Sequence, residues 1–318
     1  ELESHEIENV QPVKTKCLGI CEMGPVVKIL PDETLYTNVK PENVYDIISN
    51  HLVNGKPVEK LVYDPKKDEG RVQVPDEDAY QKQYRIVLRN SGIMNPDTIE
   101  EYVSRGGYQA LEKALFEMSP DDILEELKVS GLRGRGGGGF PVHLKWSLGR
   151  KSESDEKYVI CNADEGDPGA YMDRSTLEGD PHSVLEALAI GGYTIGAGQG
   201  YVYVRAEYPL AISNLEKAIA QARELGLLGD NIMGSGFSFD VEVRLGAGAF
   251  VCGEETALMA SIEGERGMPR PRPPYPTVKG LWGKPTMINN VETLANVPII
   301  ILRGGAWFAG IGTETSKG

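Results

Sequence analysis

"KYVICNADEGDPGAYMDR", residues 157–174, opens as an apolar run and breaks abruptly into acids, glycines and a proline. The run "KYVICNA" is short enough for a buried strand. Directly after it come Asn162, Asp164, Glu165 and Asp167. The carboxyl ends of strands are where open α/β sheets place their ligand contacts. Acidic side chains there suit the hydroxyls of a ribose or a ribityl chain. The plain alternative is an acidic turn that satisfies its own backbone, as Asx residues commonly do.

Outward from this stretch, helical and strand periods alternate. "HSVLEALAIGGYTIGA" (182–197) has helical spacing at Val184, Leu185, Leu188 and Ala189. "YVYVRAE" (201–207) reads as a strand, and "PLAISNLEKAIAQARELG" (209–226) as a helix with Ala211, Leu215, Ala218, Ile219 and Ala222 on one face. "FDVEVRL" (239–245) alternates strictly, which points Phe239, Val241, Val243 and Leu245 one way. Upstream, "SPDDILEELKVSG" (119–131) carries Ser119 as N-cap, Pro120 in the first turn and Gly131 as stop. The alternation predicts an α/β domain with helices packed on a sheet.

Between the first of these helices and the opening strand lies "GLRGRGGGGFPVHLKW" (131–146), with six glycines in its first nine positions. Glycine costs backbone entropy, so such a run needs a reason. Gly134, Gly136 and Gly139 satisfy G-x-G-x-x-G. The dinucleotide fingerprint requires a preceding strand and an immediate helix; here a helix precedes and Phe140-Pro141 follows. A Walker A loop fails as well, because no Lys-Ser or Lys-Thr closes the run. The run is then either a plain loop at a helix end or a cradle. Arg133, Arg135 and Lys145 favour the cradle, since glycine amides among cations suit a flat, anionic ligand.

Three further stretches share this character. "GAGAFVCGEETAL" (246–258) puts Glu254 and Glu255 just after Gly253, where carboxylates also serve as ordinary helix caps. "PTMINNVETL" (285–294) offers Asn289 and Asn290, either phosphate donors or a turn. "MPRPRPPYPTVKGLWGKP" (268–285) is a proline-stiffened arm carrying Arg270, Arg272 and Tyr275. Together they suggest a nucleotide-like ligand.

The 318 residues carry a net charge of −14, which argues against nucleic acid or an anionic membrane as partner. No apolar run approaches the roughly 20 residues that span a bilayer, and no signal peptide is visible. Four cysteines, Cys17, Cys21, Cys161 and Cys252, make no disulfide framework and suit a reducing cytoplasm. Residues 1 to 63 read as a small unit with a "VVKIL"/"TLYTNV" hairpin and a helix begun by Pro41, and the charged, aperiodic 64–83 as a linker. The chain begins at Glu1 and stops at "TETSKG" with no closing element, as expected of a fragment of something longer.

Taken as a set, "GLRGRGGGGFP…LKW", "CNADEGDPGAYMDR", "GAGAFVCGEETALM…EG" and "GLWGKPTMINNVETL" resemble the flavin-bearing, NADH-oxidising subunit of respiratory complex I and its soluble relatives. Those relatives are the diaphorase subunits of NAD(P)-linked and electron-bifurcating hydrogenases and of NAD-dependent formate dehydrogenases. The resemblance covers about 84–318 and implies a modified Rossmann-like fold that binds FMN, with NAD(H) or NADP(H) stacked on it. It places Gly134, Arg135, Gly136 and Gly137 against the isoalloxazine and Lys145 near the ribityl-phosphate. Asn162, Asp164, Glu165, Gly253, Glu254 and Glu255 would hold the flavin, with Asn289 and Asn290 near its phosphate. Gly139, Phe140, Asp167, Glu255, Arg272 and Tyr275 would form the dinucleotide half, Phe140 stacking on adenine. The pattern departs from the complex I form at Leu148, Asp167 and Arg272, where phenylalanine, glutamate and lysine stand there. FMN would take a hydride and pass single electrons to iron–sulfur clusters, so no catalytic acid or base is expected.

Cys17 and Cys21 give C-x₃-C, half of a four-cysteine cluster site. Their segment resembles the second half of a thioredoxin-like [2Fe–2S] ferredoxin, whose other cysteine pair lies upstream. In a fragment they are metal ligands whose partners are missing; in a complete chain the cluster cannot form in the usual way. The family's [4Fe–4S] motif is expected downstream. Fusion of the two parts points to a component of a soluble hydrogenase or formate dehydrogenase, with iron–sulfur subunits as partners. The alternatives are a complex I component and a redox-inactive nucleotide-binding scaffold.

Overall fold

In the computed structural model, residues 7, 10–13, 23–64 and 83–318 are described. The chain divides into two compact units, Glu1–Arg85 and Ile86–Gly318. Cys17 and Cys21, and most of the expected linker, lie outside the described residues.

In the first unit, β1 (Val27–Ile29) pairs antiparallel with β2 (Thr34–Tyr36). The helix expected from Pro41 is irregular: a 3₁₀ turn Pro41–Asn43, one α turn Val44–Asp46, then wide π turns over Ile47–Val53. Tyr36, Val39, Ile47 and Val58 make its small core. The buried Tyr36 hydroxyl accepts from the Val58 amide at 3.0 Å and shares a 2.7 Å hydrogen bond with His51 Nδ1. His51 Nε2 in turn bonds Asp32 Oδ2 at 2.5 Å.

The second unit is built on four parallel strands, β3 (Tyr158–Ala163), β4 (Gln199–Arg205), β5 (Asp240–Gly246) and β6 (Thr286–Asn290), in the order β5-β4-β3-β6. The chain walks from β3 to β4 to β5 in one direction, then returns to lay β6 on the far side of β3. Neighbouring connections therefore diverge between β3 and β6, the kind of switch point where open sheets bind ligands. The register sets Asn162 across from Asn290 on that side and from Tyr203 on the other.

The helices, in chain order, are α1 (Ile99–Ser104), α2 (Gln109–Phe116), α3 (Pro120–Ser130), α4 (Val142–Lys151), α5 (Met172–Gly179), α6 (Pro181–Ile195), α7 (Pro209–Glu224), α8 (Glu255–Ile262), α9 (Val291–Ala295), α10 (Val297–Arg303) and α11 (Gly305–Ala309). Alternate strand residues Val159, Cys161, Ala163, Val202, Val204 and Met287 join α6 in the main core. Ile160, Tyr201, Tyr203 and Ile288 face the other way, onto Leu258 and Met259 of α8. The sheet is thus covered on both faces, which explains why its strands read as apolar runs. Every residue of α6 except Tyr193 is buried, as an all-round apolar helix must be.

Local signals hold where the sequence places them. Ser119 and Asp122 form a capping box on α3, worth about 1 kcal/mol. Gly131 ends that helix at φ +66°, a conformation that glycine adopts without strain. One expectation fails at a strand end: Phe239 and Val241 are buried, but Leu245 is 57% exposed. β5 is an edge strand.

Candidate functional site

The glycine run connects α3 to α4 and lies across the carboxyl end of β6. The Arg135 amide donates to Thr293 Oγ1 at 2.8 Å, fastening the run to α9. A Cβ on Gly136 would stand 3.1 Å from Asn290 Cβ, so this close approach favours glycine. Gly137 and Gly139 take φ of +98° and +60°. Gly138 differs: its φ is not positive, and an added Cβ would meet no protein atom within 4 Å. Among the described residues, no contact and no left-handed φ accounts for glycine at 138.

Opposite the run, at the end of β3, the polar residues split between two tasks. Asn162 Nδ2 donates to the Gly253 carbonyl at 2.8 Å, and its Oδ1 accepts from the Asp164 amide at 3.1 Å. A Cβ on Gly253 would fall 3.2 Å from the Asp164 carbonyl, so that glycine is also required by contact. Glu165 is a cap: Oε1 accepts from the Met172 and Asp173 amides at 3.0 and 3.3 Å, and Oε2 from Arg174 N at 3.2 Å. Glu254 caps α8 in the same manner through Thr256 and Ala257.

Asp164 is different. Its side chain is 0% exposed, and Oδ1 accepts from Arg205 Nη1 at 3.2 Å. Among the described residues, Oδ2 meets no donor. Burial pushes the carboxyl above the usual range, and Arg205 pulls it back. An enclosed oxygen left unpaired costs about 1–3 kcal/mol, so a donor from outside the protein is favoured there. On the glycine run, Arg135 Nε is another enclosed polar atom with no partner among the described residues. An acceptor carboxylate, bare glycine backbone and an inward cation are the donor and acceptor set that a flavin's ring edge, ribityl chain and phosphate need.

That cation is Lys145, largely buried on α4, whose Nζ donates to the Ile288 carbonyl of β6 at 2.9 Å. Burial lowers its pKa, opposed by Glu255. Glu255 is ion-paired with Arg272 of the proline-rich arm, and Glu254 lies 3.9 Å from the same guanidinium. Phe140, Asp167 and Tyr275 are exposed. Asn289 and Asn290 part company, because successive strand residues face opposite sides. Asn289 is buried and accepts from Trp146 Nε1 at 2.9 Å. Asn290 caps α9 and donates to Asp173 Oδ2 at 2.6 Å.

Three residues enter the site that the sequence reading passes over. Asp173 is buried behind Asn290, and burial with the nearby Glu165 raises its pKa to about 7. Arg205 and Tyr208 stand at and after the end of β4. A signal for Arg205 exists in "YVYVRAE": it is a charge at the carboxyl end of a buried parallel strand. Cys161 and Cys252 are free and buried.

A match to the Nuo51 FMN-binding domain spans residues 127–299. The chain belongs to this family. The NADP-reducing hydrogenase subunit HndC of Solidesulfovibrio fructosivorans is 60% identical over 237 residues, 74% of this chain and 48% of that protein. An NADH-quinone oxidoreductase subunit of Escherichia coli (strain K12) is 50% identical over 224 residues, 70% of this chain and 50% of that one. The crystal structure of an NAD⁺-reducing [NiFe]-hydrogenase in the H₂-reduced state aligns with a TM-score of 0.62 at 32% identity, covering 96% of this chain and 48% of its own. The chain spans about half the length of these relatives. The α/β fold with a parallel, Rossmann-like sheet is that of the family. Among the described residues no helix is long and apolar enough to cross a membrane.

Proposed function

We propose that this chain is the flavin- and dinucleotide-binding part of an NAD(P)H:acceptor oxidoreductase subunit working within a multi-subunit hydrogenase. Two observations carry the reading: an exposed Gly138 whose added Cβ would meet no described atom, and the unpaired oxygen of Asp164. When bound, FMN supplies acceptance of a hydride from the dihydronicotinamide and its release as single electrons. The chain's own part is to bind, orient and exclude water. Gly136, Gly137 and Gly138 would give the ring bare backbone, Asp164 would accept from it, and Lys145 and Asn290 would serve the phosphate. Glu255 and Arg272, with Phe140 and Tyr275 exposed for stacking, would serve the dinucleotide. No side chain is assigned a proton transfer. Cys17 and Cys21 would supply half of a [2Fe–2S] ligand set, and electrons would leave to clusters of partner subunits. The 60% identity to a hydrogenase component supports a hydrogenase over complex I; bifurcation would depend on neighbouring clusters.

The test is optical. The full-length protein reconstituted with FMN should show flavin bands that bleach on adding NADH or NADPH. Bands that no dinucleotide bleaches would leave a redox-inactive scaffold, and no bands at all would end the reading.

A further inference from the structure

We propose that Arg205 is the positioning residue of the flavin site, fixing Asp164 as an anionic acceptor with one oxygen reserved for the flavin. The inference rests on the FMN reading above and assigns a role to a residue outside every motif that supports it. β4 lies between β3 and β5, and Arg205 is its last paired position, in register with Gly246. From there it reaches the loop that follows β3 directly and approaches the loop after β5 through Glu207. Nη1 bonds Asp164 Oδ1 at 3.2 Å after β3, and Nη2 bonds Glu207 Oε1 at 2.8 Å. The Glu207 carboxylate lies where a Cβ on Gly248, in the loop after β5, would fall.

The arginine is itself held in place. A Cβ on Gly166 would come 2.7 Å from Nη1 and 2.8 Å from the Phe250 ring, so the loop closes on the guanidinium in this position with glycine there. The Tyr208 ring lies 5.9 Å from the guanidinium, and its hydroxyl donates to the Glu165 carbonyl at 2.9 Å. One cation therefore braces the side chain of Asp164 while its stacking partner braces the next residue's backbone. Arginine suits this task because its planar fork serves two acceptors at once, which a lysine ammonium does less well. The groups acting on Asp164 are Arg205, which favours the anion, and Glu207, which opposes it; Tyr203 of β4 feels the same carboxylate.

The experiment measures the FMN dissociation constant of the full-length protein by flavin fluorescence between pH 6 and 9. The variants are R205K, R205M, D164N and the double D164N/R205M. R205M is expected to bind FMN at least tenfold more weakly than wild type at pH 6, with the deficit shrinking as rising pH favours the Asp164 carboxylate. R205K keeps the charge but not the fork, so its profile should be as flat as the wild type's at an affinity between wild type and R205M. D164N should bind weakly at every pH, and adding R205M to it should change nothing more. Equal weakening by R205M at all pH values, or additive losses in the double variant, overturns the proposal, because Arg205 would then act other than through Asp164. If R205M fails to fold by circular dichroism, D164N alone decides: undiminished FMN affinity overturns the proposal and a tenfold loss supports it. Wild type that takes up no FMN fells the FMN reading and this proposal with it, whereas wild-type binding with an unaltered R205M profile fells only the proposal.

Discussion

Two buried carboxylates separate the scaffold of this molecule from its site. Glu186, in the middle of α6, is fully served: Oε2 accepts from the Tyr102 hydroxyl at 2.5 Å and Oε1 from the Leu111 amide at 3.0 Å. Around it, Tyr108 bonds His182 Nδ1 at 2.9 Å, and Asp180 accepts from Asn90 Nδ2 at 2.7 Å. Burial lowers the His182 pKa to about 4, so the ring is neutral across the physiological range. Asp164, at the end of β3, also has a side chain with no exposed surface, yet one of its oxygens is without a partner among the described residues. Burial alone does not distinguish a structural acid from a binding one. What distinguishes them is whether the protein completes the hydrogen bonding or leaves part of it for something else.

The largest effect should come from breaking the complete network. Glu186→Ala strands the Tyr102 hydroxyl and the Leu111 amide and opens a cavity, a loss on the order of 3–5 kcal/mol. Urea unfolding should show it as a lower midpoint, and Glu186→Gln should lose less because it still accepts at one oxygen. An unchanged midpoint for Glu186→Ala would remove the contrast.

Asp173 gives the next effect, through pH. Its folded pKa of about 7 lies above the unfolded value, so the folded state keeps a proton that the unfolded chain releases near pH 4. Its contribution is fully present below about pH 4 and is lost as pH rises towards 7, by on the order of 2–4 kcal/mol. Asp173→Asn can still accept from Asn290 but carries no titration. The unfolding free energy of the variant should therefore gain on wild type between pH 5 and 8; parallel curves would show that Asp173 does not titrate there.

How much of this was readable beforehand follows from what kind of fact each residue is. Strands, helices and caps are local: the period of "HSVLEALAIGGYTIGA" and the Ser119–Asp122 box need only their own neighbours. That Gly134, Gly136 and Gly139 are no dinucleotide fingerprint was legible too, because the run joins α3 to α4 and no strand precedes it. Asn289 was not separable from Asn290, since the split depends on which face of β6 Trp146 packs against. Glu165 reads like a ligand residue in sequence, yet both its oxygens cap α5, a contact made seven to nine residues away. Arg205 is marked in sequence only as a charge at a strand's carboxyl end; its partner becomes visible when the strand order puts β4 between β3 and β5. Pairing across a sheet is a non-local fact, and a single strand's sequence does not contain it.

The smallest effect on stability should come from the most informative glycine. Gly136→Ala pushes a methyl to 3.1 Å from Asn290 Cβ, so it should both unsettle the run by about 1 kcal/mol and weaken FMN binding. Gly138→Ala meets no protein atom and needs no left-handed backbone. On the protein's account alone it should be neutral or stabilising by about 0.5 kcal/mol, because alanine has less freedom to lose on folding. If the flavin lies on that backbone, the same methyl occupies the ligand's space, and FMN affinity should fall at least tenfold while the unfolding midpoint holds or rises. Equilibrium dialysis beside thermal unfolding reads both quantities on one preparation. A Gly138→Ala protein that binds FMN as tightly as wild type would mean that the open face of the run is simply surface.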